Sequence, residues 1–73
     1  MTKNLHKLRR YCSGVYRVTL SDDCFGQIQR TIDDEWCAEV RDTNTGNLKR
    51  YAGLWNTCRA AHAELVSIPT IDL

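Results

Sequence analysis

The sequence predicts an α+β domain: a three- or four-stranded antiparallel sheet, wound as a meander, with one C-terminal helix packed on one face. Three observations predict it. Apolar and polar side chains alternate in short runs between residues 14 and 55, the period of half-buried strands. The runs are divided by turn-forming stretches, "SDD", "DDE" and "NTGN". After Trp55 the period lengthens to that of a helix, which Pro69 closes.

The elements follow in order. "GVYRVTL" (14–20) puts Tyr16, Val18 and Leu20 on one face and Val15, Arg17 and Thr19 on the other. "CFGQIQRTI" (24–32) places Ile28 and Ile32 together, with Gln27, Gln29 and Thr31 opposite. In "WCAEVRDT" (36–43) Trp36, Ala38 and Val40 face one way, and Cys37, Glu39 and Arg41 the other. "NTGN" offers a glycine suited to positive φ, so a hairpin leads into "LKRYAGLW" (48–55). There Lys49 and Tyr51 oppose Ala52 and Leu54. Asn56 or Thr57 can cap a helix in which Cys58, Ala61, Leu65 and Ile68 form one apolar stripe. Ala60, Ala61 and Ala63 let that helix lie close to the sheet. Residues 1–12 read as a basic arm or short helix, with Leu5 and Leu8 on one side, 13–68 as the domain, and 69–73 as a tail.

Size and composition narrow the class. Seventy-three residues with 42% hydrophobic content suit one compact domain near the lower limit for a single core. No apolar run approaches the ~20 residues of a bilayer span, nor the ~7–15 of a signal-peptide core, so a cytoplasmic protein is expected. Cys12, Cys24, Cys37 and Cys58 lie far apart with no C-x-x-C pair. They read as free, mostly buried thiols rather than disulfides or, with His6 and His62, zinc ligands. No cofactor is expected. The charge is uneven: residues 1–20 carry +5 from Lys3, Lys7, Arg9, Arg10 and Arg17, and the remainder −4. A basic start before an acidic body fits contact with nucleic acid or an acidic partner, or simply a solvated terminus.

Signatures of catalysis are absent. There is no phosphate-binding glycine loop, nucleophile elbow or paired-histidine metal motif. Asp22/Asp23 and Asp33/Asp34/Glu35 fall in turns, where carboxylates favour water over a pocket that would tune their pKa. Cys58 and His62, four residues apart, read as a packed helix edge rather than a nucleophile and base. A non-enzymatic binding protein is the expectation.

One helix covers one face of a sheet. The other face, carrying Gln27, Gln29, Glu39, Arg41, Lys49 and Tyr51, must meet water or a partner. On "AEVRD", "YAGLW" and Thr57 followed by alanines, the chain resembles the plant ethylene-response-factor type of DNA-binding domain and the related arm-binding domains of tyrosine integrases. The resemblance implies a three-stranded sheet set in the major groove of double-stranded DNA, with a helix behind it. It implies contacts from Glu39, Arg41, Lys49 and Tyr51, joined by Gln27 and Gln29 and supported by the arm at Lys3, Lys7, Arg9 and Arg10. The chain departs from that pattern where the family carries arginines and an aromatic, having Gln29, Thr31, Asp33, Asp34 and Glu35 instead. In size and style it also resembles accessory proteins of phages and prophages, which bind and modulate a host protein. That alternative, and a homodimer formed through the sheet, are the other readings of the same face.

Overall fold

The computed structural model describes residues 6–73, with the exception of the Thr70 side chain. Five strands, β1 (Leu8–Cys12), β2 (Val15–Thr19), β3 (Cys24–Arg30), β4 (Trp36–Asp42) and β5 (Leu48–Trp55), precede one helix, α1 (Cys58–Ser67). The strands lie side by side in chain order, each antiparallel to the next. The fold is thus the expected antiparallel meander with a C-terminal helix, but with five strands.

The added strand is β1, in the segment read as an arm or short helix. Its residues Arg9 and Arg10 are paired with Arg17 and Tyr16 of β2. Ser13 and Gly14 make the intervening turn, with Gly14 at φ +76°, a conformation that glycine adopts without a Cβ penalty. Pairing with β2 makes the run extended, since its own charged sequence has no apolar alternation. Of the arm, Lys3 and Leu5 lie outside the described residues, and Lys7 is exposed just before β1.

The core forms between the sheet and α1. Val18, Leu20, Cys24, Ile28, Ala38 and Val40 meet Ala61 and Leu65 there, all at most 3% exposed. Removing such side chains from water supplies most of the driving force, at about 1.5–3 kcal/mol for each large aliphatic residue. Gly26 sets how closely the layers approach. A Cβ at that position would stand 2.7 Å from Leu65 Cδ1, so Leu65 seats in space that only glycine leaves free. Thr57 caps α1, its hydroxyl accepting from the Ala60 amide at 3.1 Å. His62 Nε2 donates to the His6 carbonyl at 2.8 Å, tying the helix to the entry of β1.

Three local details differ from the sequence reading. Ile32 is fully exposed instead of sharing a core face with Ile28. β3 ends at Arg30, and the Thr31 hydroxyl then organises a tight turn by accepting from the Asp33 and Glu35 amides. Leu54 shares a face with Tyr51 instead of opposing it, because register shifts in the β4–β5 pairing leave Ala52 as an extra residue between Tyr51 and Gly53. Residues 69–73 are no loose tail: a short 3₁₀ turn, Thr70–Asp72, brings Leu73 back against the core.

Leu65→Ala should destabilise the domain by about 2–5 kcal/mol, the range for a large-to-small change in a packed core, and Thr57→Ala by about 1 kcal/mol. Urea titration followed by circular dichroism measures both.

Candidate nucleic-acid interface

The face away from α1 is organised as three rows crossing the strands. The middle row runs Arg9, Arg17, Gln27, Glu39, Tyr51, one residue from each strand, each directly opposite the next. Beside it run Thr19, Phe25, Arg41 and Leu48 on one side, and Val15, Gln29, Cys37 and Leu54 on the other. Five of the six residues expected on this face, Gln27, Gln29, Glu39, Arg41 and Tyr51, take positions in these rows. Lys49 does not, because it falls where the β4–β5 register shifts between the Arg50 and Leu48 pairings.

The rows differ chemically from one edge to the other. At β1–β2, Arg9 and Arg17 face each other across neighbouring strands. Two like charges in that arrangement repel. Among the described residues neither forms an ion pair with a carboxylate, and residues 1–20 contain no acid. The Arg17 guanidinium instead lies 3.7 Å from the Tyr11 ring centre and 4.9 Å from that of Phe25, while its Nε donates to Gln27 Oε1 at 3.2 Å. Each ring attracts the cation by about 0.5–1 kcal/mol at such exposed positions and fixes its plane. The side chain is therefore held extended across β1–β3.

Around it lies a cleft of about 400 Å³, lined by Arg9, Arg10, Tyr11, Arg17, Val18, Thr19, Phe25 and Thr43. Arg9, Arg17 and two aromatic rings meet there, Arg10 belongs by register to the other face opposite Tyr16, and no lining residue carries a negative charge.

The β4–β5 half has another character. Arg41 pairs with Glu39 and also donates from Nη1 to the Gly46 carbonyl at 2.8 Å. Its charge is compensated within the protein, and its geometry is fixed by the β4–β5 turn. That turn is itself well determined, with the Asp42 carboxylate accepting from the Asn44 and Thr45 amides and Gly46 at φ +76°. Partial desolvation pushes the Tyr51 phenol above its ordinary value, and neighbouring Cys37, Glu35 and Glu39 push it the same way. Tyr51, Leu48 and Leu54 are each about half exposed, forming an apolar margin.

The chain matches no protein-family model, curated protein or solved structure. The geometry alone therefore directs the reading of this face.

Sequence reasoning located the face but placed its centre on β3–β5, whereas cation and aromatic groups concentrate on β1–β3. Alternation puts Arg17 on the outward side of its strand but gives no reason to rank it above its neighbours, and neither Tyr11 nor Phe25 carries a signal of its own. The Ser13–Gly14 pair, a turn signal between two runs that each contain tyrosine and arginine, was the available cue.

The four cysteines are free, with Cys24 buried, Cys37 and Cys58 half-buried and Cys12 exposed, so fewer are buried than expected. Among the described residues, no group of three His, Cys, Asp or Glu side chains is placed to hold a metal ion. Burial pushes the Cys58 thiol up. Because the folded state retains that proton longer than the unfolded chain, its contribution to stability is present below the ordinary thiol range and lost as pH rises through it. In the native protein Cys12 should react first with a thiol reagent such as Ellman's, and Cys24 only on unfolding. Cys58→Ala should flatten part of the alkaline loss of stability, measured as the urea midpoint against pH.

Proposed function

We propose that this chain is a small non-enzymatic protein that binds nucleic acid through the sheet face left uncovered by α1. The observation that carries the reading is the Arg9–Arg17 pair, two cations directly opposed across strands and, among the described residues, neither of them in an ion pair with a carboxylate. A phosphate group set between them would replace repulsion with two charge-assisted interactions. Gln27 extends the same row and offers an amide able to pair with a base edge. Free thiols fit a reducing compartment such as the cytoplasm.

The contacts expected from sequence are redistributed in this reading. Arg9 and Arg17 take the phosphate, with Arg10 at the cleft margin. Arg41, engaged by Glu39 and Gly46, acts mainly by holding the β4–β5 turn in place.

A second reading rests on a different observation. Leu48, Tyr51 and Leu54 expose apolar surface along edge strand β5, a surface suited to a protein partner. This is the phage-type accessory function, in which a host protein is bound and modulated, or a homodimer formed through that edge. Lys49 and Arg50 lie among these residues, and charges on an edge strand oppose strand-to-strand pairing of two copies. Sedimentation at rising concentration distinguishes a dimer from a monomer.

Fluorescence anisotropy with a labelled oligonucleotide tests the principal reading. Binding should weaken steeply with salt, and Arg9→Ala or Arg17→Ala should each lower the salt slope by about 1. Arg41→Ala should change it less. If neither duplex nor single-stranded probes bind at low salt, the surface is not a nucleic-acid site.

A further inference from the structure

We infer that the nucleic acid taken by this face is an unpaired strand, with one nucleotide seated in the Arg9–Arg17–Phe25 cleft, rather than a duplex. The inference rests on the nucleic-acid reading above and specifies its substrate.

Register is the first argument. Arg9, Arg17 and Gln27 form a continuous row across β1, β2 and β3. The backbone of a single strand can follow such a row of cations while its bases turn toward the cleft beside it.

The second argument is the pairing of chemistries. Binding of unpaired strands combines cations that follow the backbone with flat groups on which bases stack. Here both occur within one cleft. Tyr11 is 61% exposed, with one face against the Arg17 guanidinium. The Arg17 guanidinium supports that ring from one side, and the ring's exposed area is left for an incoming base. At about 400 Å³ the cleft has the volume of a small-molecule pocket. It suits a single nucleotide with its phosphate near Arg9 and Arg17 and its base over Tyr11.

Charge gives the strand a position. At the β4–β5 end of the face Arg41 is closed onto Glu39, whereas Arg9 and Arg17, opposed at the β1–β2 end, are in no ion pair among the described residues. A polyanion is drawn to the latter. The strand therefore lies over β1–β3, and the β4–β5 margin stays outside the contact.

The test compares a labelled mixed-sequence single strand of roughly 12 nucleotides with the same sequence as a duplex, by anisotropy at fixed low salt. The single strand should bind at least about tenfold tighter, and Tyr11→Ala should weaken it by about 5- to 100-fold while Tyr11→Phe retains binding. Circular dichroism verifies that each variant is folded. Phe25→Leu, which keeps most of the buried volume, should also weaken binding and guards against a loss caused by Tyr11→Ala distorting β1. Equal or tighter binding of the duplex, or strand binding indifferent to the aromatic changes, would overturn the inference while leaving nucleic-acid binding intact. Failure of both probes would overturn the functional reading itself.

Discussion

The structure depends on the seating of Leu65 over Gly26. A ten-residue helix is only about 15 Å long, and the sheet it must cover has five strands. α1 therefore packs on β3, β4 and β5 and, among the described residues, leaves the other face open. The close approach at Gly26 brings Leu65 and Ala61 into one buried cluster with Val18, Ile28, Ala38 and Val40. Thr57 fixes where the helix begins, and His62 ties it to the start of β1. The side of the sheet on which α1 docks decides which residues remain available to a ligand.

What remains on the open face is ordered by register. Because the five strands pair consecutively, residues distant in sequence fall into continuous rows, and Arg9 meets Arg17 only through the β1–β2 pairing. That contact is unfavourable in isolation. The protein tolerates it by leaving both side chains in contact with water and by laying Arg17 against Tyr11 and Phe25, whose ring faces favour a cation. Across the sheet the same problem is solved differently, with Arg41 closed onto Glu39. One half of the face thus has its charge neutralised and the other half does not, a difference that can direct an anionic ligand to one end.

Much of this was legible in the sequence where a single strand carried its own signal. β4 is the clearest case: Trp36, Ala38 and Val40 alternate with Cys37, Glu39 and Arg41 without interruption, and both faces were read correctly. The helix was equally plain from the Cys58, Ala61, Leu65 stripe and from Pro69. β5 could be located but not fully oriented, because an extra residue at Ala52 reverses the alternation, and the isolated Gly53 in "YAGLW", a cue for a bulge, does not say which residue is displaced. β1 was hidden for a different reason. "LRRYC" has too little apolar alternation to read as a strand, and its extended form comes from pairing with β2. The candidate site followed the same division. Gln27 and Glu39 are legible on the open face because β3 and β4 alternate, whereas their junction with Arg9 depends on a strand that its own residues do not reveal.

The central claim is that the face opposite α1 is the binding surface and that its β1–β3 half receives the ligand. An NMR titration of the isotopically labelled protein with a short single-stranded oligonucleotide tests this most directly. Amide shifts concentrated at Arg9, Tyr11, Arg17, Phe25 and Gln27, with Ala61 and Leu65 of α1 unmoved, are the predicted result. Shifts confined to the exposed side of α1 around Arg59 and Ala63, or to the β5 margin at Leu48 and Leu54, would contradict it.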